Sequence, residues 1–401
     1  MDNTFFIYSN RIYTPMGVTK GYLKIEDGKI KDIYERAEGG QIINYENKII
    51  IPGFIDIHIH GWSTGSFWMR GDYESLTNMS KELVRVGVTS YLPTTGADDL
   101  NKTKRQLGEG KRFIKDWTPE TGSEPIGFHL EGPFLSKEYR GMQKEEYCIH
   151  PSLQVYKELL EASGEENVRL MTIAPELPGA KEVIAYSKEK GIQISAGHTS
   201  ADFEDIKELK DYGIGGFTHV YSGMRGFHHR RPGVVGAAMY FKDMYVEFAK
   251  QTGLTVKPEA FDIMYRLKGK EKVILSTDCS GIAFSNEPFY NYIRKCTYTP
   301  VGDGIKLKYD DGREQFISHK DVETIRELEL SFLGSVKNVV RNIDASIGDI
   351  VTMASENPAK YVGVIDRKGT LEPGKDADML VIDADFNIYD VFVKGVKQDL
   401  S

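Results

Sequence analysis

Two histidines two residues apart, His58 and His60, close the mostly apolar run that starts at Phe54. Residues two apart on a strand point to one face, so both imidazoles aim at one volume. His129 and Glu131 repeat that spacing in Phe128-His129-Leu130-Glu131. His198 ends Ser195-Ala196-Gly197-His198, His219 lies in Thr218-His219-Val220, and Asp278 ends Ser276-Thr277-Asp278. Several neutral imidazoles with one or two carboxylates suit a borderline divalent ion such as zinc, or iron, nickel or cobalt. Calcium and magnesium prefer oxygen shells. Glu131 could bridge two ions, so the set can hold one or two. Asp278 could ligate, or act as general base: a metal lowers the pKa of its bound water to about 7, and a nearby carboxylate can move the released proton to a leaving amine. An isolated H-x-H is a weak signal, and a lone His on an apolar strand is ordinarily a core residue. The force of the pattern is that His58, His60, Glu131, His198, His219 and Asp278 all fall at or near the ends of candidate strands.

Those strands are Ile55–His60, Ser90–Thr95, Ile126–Glu131, Leu170–Ala174, Ile192–His198, Gly216–Tyr221, Met244–Ala249 and Val273–Asp278. Several are continuous apolar runs, as expected of parallel strands buried on both faces. Amphipathic stretches separate them. Leu76, Met79, Leu83 and Val84 recur at helical spacing, as do Phe203, Ile206 and Leu209 after a candidate cap at Thr199 or Ser200. Eight such units predict an α/β fold, a TIM-type (β/α)8 barrel. A doubly wound sheet is the alternative, but no Gly-rich phosphate turn follows the first strand. Residues 1–52 and 361–401 read as short strands. They are expected to join as one small β-sandwich domain beside a barrel over 53–360, because neither end alone buries enough surface. Between 282 and 320 lies an irregular excursion, with a hairpin expected around Asp310-Asp311-Gly312. A helical region follows from about 321 to 360.

Composition narrows the class. The 401 residues are 40% hydrophobic and 27% charged, with a net charge of −8. That excludes a disordered chain and argues against a nucleic-acid binder, which is usually basic. No run reaches about 18 apolar residues, so no membrane span is expected. Met1-Asp2-Asn3-Thr4-Phe5-Phe6 does not read as a signal peptide. Three scattered cysteines form no disulfide framework or C-x-x-C pair, and the expected compartment is the cytoplasm. Cys279, beside Asp278, reads as a small buried hydrophobe rather than a nucleophile. Trp62 and Trp68 could line a substrate wall or pack a loop.

At these residues the sequence resembles the amidohydrolase superfamily and, within it, the N-acetylglucosamine-6-phosphate deacetylases. The matching stretches are Pro52–Gly61, Gly127–Phe134 (with His-Leu-Glu-Gly-Pro-Phe), Ala196–Thr199, His228–Gly233 with Val235–Ala238, Ser276–Asp278 and the tail Gly369–Asp378. The likeness covers essentially the whole chain. It implies that Glu131, His198 and His219 hold a principal metal. His58 and His60 would hold a second, with Glu131 bridging, and Asp278 would be the catalytic acid/base. Arg230 matches a phosphate-binding arginine, in keeping with the preference of guanidinium for phosphate. The family is usually homodimeric.

The departures lie on the substrate side. A Gly-Ala-His segment of the family is here Gly141-Met142-Gln143, and an Asn-Ala-Met segment is Ser222-Gly223-Met224. A Gly-Leu-His segment is Gly253-Leu254-Thr255, and Leu-Ala-Gly-Ser becomes Phe332-Leu333-Gly334-Ser335. The excursion at 282–320 is longer than the family's. Met142, Gln143, Ser222, Gly223, Arg230, Thr255 and Leu333 are therefore the expected substrate contacts. Gln143 can donate to a hydroxyl or acyl oxygen, and Thr255 can contact a phosphate, but neither supplies positive charge. The expected local positive charge lies in Arg230, Arg231 and the metals. The expected activity is metal-dependent removal of the acetyl group from an N-acetylhexosamine 6-phosphate, by default N-acetylglucosamine 6-phosphate. His129 is a possible helper at the acyl oxygen. Another N-acyl substrate, such as N-acetylgalactosamine 6-phosphate or a non-phosphorylated amide, is the alternative, as is a non-catalytic sugar-phosphate sensor.

Overall fold

The computed structural model describes residues 4–249, 255–285, 287–291 and 294–401. Eight parallel strands form the central sheet: β1 (Phe54–Ile59), β2 (Val88–Thr95), β3 (Phe128–Glu131), β4 (Val168–Ile173), β5 (Gln193–Ala196), β6 (Ile214–Phe217), β7 (Tyr245–Ala249) and β8 (Val273–Ser276). Each pairs with the next in chain order. Every residue of β1 and β2 is buried, as expected of parallel strands covered on both faces. The barrel closes at its C-terminal end, where the Asp278 amide donates to the His58 carbonyl (2.8 Å) and the His60 amide to the Cys279 carbonyl (2.8 Å). The closing contacts thus run through the metal-ligand candidates themselves.

A helix follows each strand, and several start at a side-chain cap that satisfies the free N–H groups of a first turn. Asp72 accepts from the Ser75 amide before Tyr73–Leu83, Asp99 from Asn101 and Lys102 before Leu100–Asp116, and Ser331 from Gly334 before Phe332–Asn342. The helix Phe203–Lys210 is capped by Asp202 in a box with Asp205, not by Thr199 or Ser200. Those two residues bind Glu176 instead, the Ser200 amide at 2.7 Å. They fix the loop that carries His198.

The two ends of the chain do meet. Phe5–Thr14, Gly17–Glu26, Lys29–Tyr34, Gln41–Asn44 and Ile49–Pro52 join Met379–Ile382, Ile388–Val393 and Val396–Lys397 in one eight-stranded sheet. The seam is antiparallel, with Met379 opposite Pro52 and Ile382 opposite Ile49. Ile7, Leu23, Ile25, Ile50, Met379, Val381 and Phe392 form its apolar core. The excursion after β8 is a four-stranded antiparallel sheet, Phe289–Asn291, Cys296–Val301, Gly304–Tyr309 and Glu314–Ser318. The expected hairpin is present, with Lys308 opposite Glu314. The region 321–360 is helical but broken into short segments around Phe332–Asn342.

A buried ion network ties the C-terminal segment to the base of the barrel. Lys368 is 1% exposed, and its Nζ lies 2.7 Å from Glu124, 3.1 Å from Asp376 and against Asp378. Arg367 binds Glu124 at 3.0 Å and Asp376 at 2.9 Å. Burial alone would discharge Lys368, but the carboxylates of Asp378, Glu124 and Asp376 outweigh it and raise its pKa. Glu124 and Asp376 also hold Arg367, but removing Lys368 leaves the buried Asp378 without its cation, and breaking such a buried pair costs about 3–5 kcal/mol. Lys368→Met is therefore expected to lower the urea unfolding midpoint by the equivalent of about 3–5 kcal/mol. A loss well under 1 kcal/mol would show that the network does not hold the tail to the barrel.

Candidate active site

Glu131 ends β3 and stands at the centre of the barrel mouth, 1% exposed. Four imidazoles surround its carboxylate. Nε2 of His58, His198 and His219 lie 3.3, 3.2 and 3.1 Å from Oε1, and Nε2 of His60 lies 3.2 Å from Oε2. Asp278 closes the group from above, its Oδ1 3.3 Å from His60 Nε2 and 3.5 Å from His58 Nε2. Its side chain is 28% exposed, while those of the five others are nearly closed off. Asp278 is thus the most exposed of the six, and it lines the cavity over the cluster together with His60, Glu131, His198 and His219. All six sequence-predicted residues converge.

His198, His219 and Asp278 do not lie within their strands as expected. Each sits two residues beyond, at φ 46°, 30° and 50°. Left-handed backbone at a non-glycine residue is uncommon and costs on the order of 1–3 kcal/mol. Here it folds each side chain back over the barrel axis. Gly223 must be glycine for a related reason: at φ 55°, a Cβ would stand 2.9 Å from His198 Nδ1.

The outer nitrogens of the rings decide the chemistry. His58 Nδ1 faces Glu247 Oε1 at 2.7 Å, and His60 Nδ1 faces the Thr94 carbonyl at 3.1 Å. His198 Nδ1 faces the Tyr139 carbonyl at 2.8 Å, and His219 Nδ1 the Ser222 carbonyl at 3.1 Å. Every partner is an acceptor, so each ring donates from Nδ1 and turns an Nε2 lone pair inward. Two pairs of these nitrogens stand only 3.3 Å (His58 and His60) and 3.1 Å (His198 and His219) apart. Lone pairs that close repel unless a cation sits among them. The donor atoms fall into two groups that share Glu131, one with His58 and His60, the other with His198 and His219. Both are imidazole and carboxylate sets that fit a divalent transition ion.

The field of the site agrees. Burial opposes charge on His58, His60 and His219, yet the surrounding carboxylates outweigh it and raise all three pKa values. Burial likewise opposes charge on Glu131, but His58 and His198 lead a ring of partners that holds it well below the usual carboxylate range. The mouth is built to gather positive charge around one ionised carboxylate.

Two supporting carboxylates were missed at the sequence level. Glu247 in β7 is 3% exposed, orients His58, and accepts from Ser276 Oγ at 2.9 Å. Its other oxygen is buried without a hydrogen-bond partner among the described residues. Asp56 in β1 is fully buried and accepts from the Thr277 hydroxyl at 2.6 Å and the His58 amide at 3.2 Å, joining β1 to β8 directly beneath Asp278. Burial pushes its pKa up to about 7, against those hydrogen bonds. The available signal was a single acid interrupting an apolar, doubly buried strand.

A cavity of about 90 Å3 lies over the cluster, lined by Trp68, Met142, Gln143, Ser222, Gly223 and Thr255 among others. Five of the seven expected substrate contacts therefore reach it. Gln143 is already engaged: its amide donates to Glu131 Oε2 (2.9 Å) and accepts from the Ala97 amide (2.9 Å). Arg230 is exposed and lines a separate cavity with Phe203, Phe227 and Tyr240. Arg231 is neutralised by Asp202 at 2.6 Å. Leu333 packs against the barrel core and does not line the cavity over the cluster. Gly253 and Leu254 lie outside the described residues. His129 is fully buried one layer deeper, with Nε2 on Thr172 Oγ1 at 2.8 Å, so it cannot reach an acyl oxygen. Trp62 is core, and Cys279 is a buried thiol on the Leu330 carbonyl. Among the described residues, no helix is long and apolar enough to cross a membrane.

Known proteins carry the same arrangement of chain. The N-acetylglucosamine-6-phosphate deacetylase of Bacillus subtilis is 30% identical over 94% of this chain and 92% of its own length. The N-acetylgalactosamine-6-phosphate deacetylase of Escherichia coli O157:H7 is 26% identical over 98% of both. The crystal structure of N-acetylglucosamine-6-phosphate deacetylase from Pasteurella multocida superimposes with a TM-score of 0.82, at 26% identity, over 98% of this chain and 99% of that one. The model of the amidohydrolase family matches residues 49–397. With this match across both the barrel and the strands that flank it, the chain belongs to the amidohydrolase family.

Proposed function

We propose that the protein is a metal-dependent hydrolase that removes the acetyl group from an N-acetylhexosamine 6-phosphate. The default substrate is N-acetylglucosamine 6-phosphate, giving glucosamine 6-phosphate and acetate. The observation that carries this reading is Asp278 facing a cavity directly over two donor groups that share Glu131. Glu131, His198 and His219 would hold one ion and His58 and His60, with Glu131, a second. Zinc suits these donors best, with iron, nickel or cobalt as chemical equivalents. A bound ion would supply Lewis acidity toward the acyl oxygen and make water acidic near neutral pH.

The protein's own groups do the rest. The Asp278 carboxylate accepts a proton from the attacking water and returns it to the departing sugar nitrogen, so the amide bond breaks to acetate and amine. The Thr94, Tyr139 and Ser222 carbonyls and Glu247 keep the imidazoles in one tautomer and orientation. Gln143 holds the second oxygen of Glu131. Met142, Ser222, Gly223 and Thr255 bound the sugar.

Phosphate recognition has a different source. In one chain Arg230 is away from the mouth, beside the exposed rings of Phe227 and Tyr240. These features support a homodimer in which the loop of one copy brings Arg230 to the other. N-acetylgalactosamine 6-phosphate as substrate is the second reading, supported by the Escherichia coli relative. A cytoplasmic enzyme is in keeping with both.

Asp278→Asn is expected to lower the rate of acetate release by about 10²–10⁴-fold, with metal content unchanged; unaltered turnover would remove Asp278 from the mechanism. Dialysis against a chelator is expected to abolish acetate release, and zinc to restore it; full activity in metal-free protein would refute metal dependence. Arg230→Ala is expected to raise KM for a phosphorylated substrate at least tenfold while barely affecting its dephosphorylated counterpart. Equal effects on both would exclude Arg230 as the phosphate contact.

A further inference from the structure

The four imidazoles of the cluster are not held alike. His60, His198 and His219 each donate from Nδ1 to a backbone carbonyl, of Thr94, Tyr139 and Ser222 respectively. His58 instead donates to a carboxylate, Glu247 Oε1, at 2.7 Å, and both side chains are buried. We propose that Glu247 is a positioning residue for a second metal ion: through His58 it makes the His58–His60 half of the cluster a metal site in its own right, so that the chain holds two ions rather than one. The proposal rests on the metal-dependent reading above and adds to it the ion count and the side chain that sets it.

Charge distinguishes the two halves. Glu131 is the carboxylate grouped with His198 and His219, and it must be shared with His58 and His60. Asp278, 3.3 Å from His60 and 3.5 Å from His58, is needed as a carrier that takes up and gives back a proton. Two divalent ions bring four positive charges to a mouth where Glu131 and Asp278 supply two negative ones. Glu247 supplies a third without taking a coordination position, because it acts on the far nitrogen of His58. A carboxylate there makes the imidazole a stronger donor and fixes its ring. The backbone carbonyls behind the other three rings carry no net charge.

Without an ion, Glu247 is a costly residue to keep. It lies in β7 between Val246 and Phe248, both wholly buried. It accepts from Ser276 Oγ at 2.9 Å, and its second oxygen has no hydrogen-bond partner among the described residues. Its one ion-pair partner among those residues is His58. A buried carboxylate is unfavourable unless a cation compensates it. The route by which a cation acts on Glu247 is His58, whose Nε2 stands 3.3 Å from Glu131 in the mouth. A proton on that nitrogen is the competing cation, and it would exclude the ion.

Titration of chelator-stripped protein with zinc, against a chromophoric chelator, counts the ions and measures each affinity. The wild-type chain is expected to take two zinc ions. Glu247→Gln keeps the shape and removes the charge, and is expected to hold one ion as before and the other about 10–100-fold more weakly. His58→Gln is expected to leave one ion, and adding Glu247→Gln to it to change nothing further, which a merely structural glutamate would not give. Glu247→Asp, one methylene short of His58, is a second variant expected to weaken the same ion. Near-ultraviolet dichroism reports whether each variant is folded. One zinc ion in the saturated wild type, an unchanged second ion in both Glu247 variants, or equal weakening of both ions would overturn the proposal. Acetate release is followed separately. Two ions without acetate from any N-acetylhexosamine phosphate would overturn the hydrolase reading and leave the role of Glu247 standing; acetate release by a one-ion enzyme would do the reverse.

Discussion

Four imidazole nitrogens pointing their lone pairs at one buried carboxylate is an arrangement that the protein alone cannot neutralise. Glu131 is surrounded at 3.1–3.3 Å by groups whose hydrogens are already committed outward. Such a cluster stays buried only if positive charge enters it, as protons or as metal. The raised imidazole pKa values and the lowered Glu131 pKa express the same demand. Much of the rest of the molecule can be read as what is needed to hold that cluster in place.

The barrel supplies the geometry. Parallel strands end together at one rim, so side chains from β1 and β3, with the residues just past β1, β5, β6 and β8, meet without long loops. The strained backbone at His198 and Asp278 is stabilised from outside: Thr199 and Ser200 are clamped by Glu176, and Asp56 pins Thr277. At the opposite end, Lys368 and its carboxylates fasten the tail strands to the barrel base. The fold keeps strain at the mouth and ionic fastening at the floor.

Most of the site was legible because it obeys periodicity. Two-residue spacing at strand ends located His58, His60 and Glu131, and the repeat of strand and amphipathic stretch located the eight strands, the sixth overlapping its expected range only at Gly216 and Phe217. The rest escaped for physical reasons. A strand pattern does not reveal where left-handed backbone begins, so His198, His219 and Asp278 were placed within strands they overshoot. Glu247 and Asp56 each stand as a single acid among apolar neighbours, and their roles depend on partners distant in sequence, Ser276 and Thr277. Loop residues carry no period, so neither the separation of Arg230 from the mouth nor the engagement of Gln143 by Glu131 could be read in advance. The same holds for the excursion: its hairpin was foreseen from Asp310-Asp311-Gly312, but not the compartment it forms beside Trp68.

The central claim is that cations, not protons alone, balance the Glu131 cluster. Anomalous diffraction from crystals of the zinc-loaded protein, collected on both sides of the zinc edge, tests it most directly. The account predicts a peak about 2.0–2.2 Å from Glu131 and from the Nε2 atoms of His198 and His219, of His58 and His60, or of both pairs. A cluster without any anomalous peak, its rings hydrogen-bonded to Glu131 in zinc-saturated crystals, would contradict it.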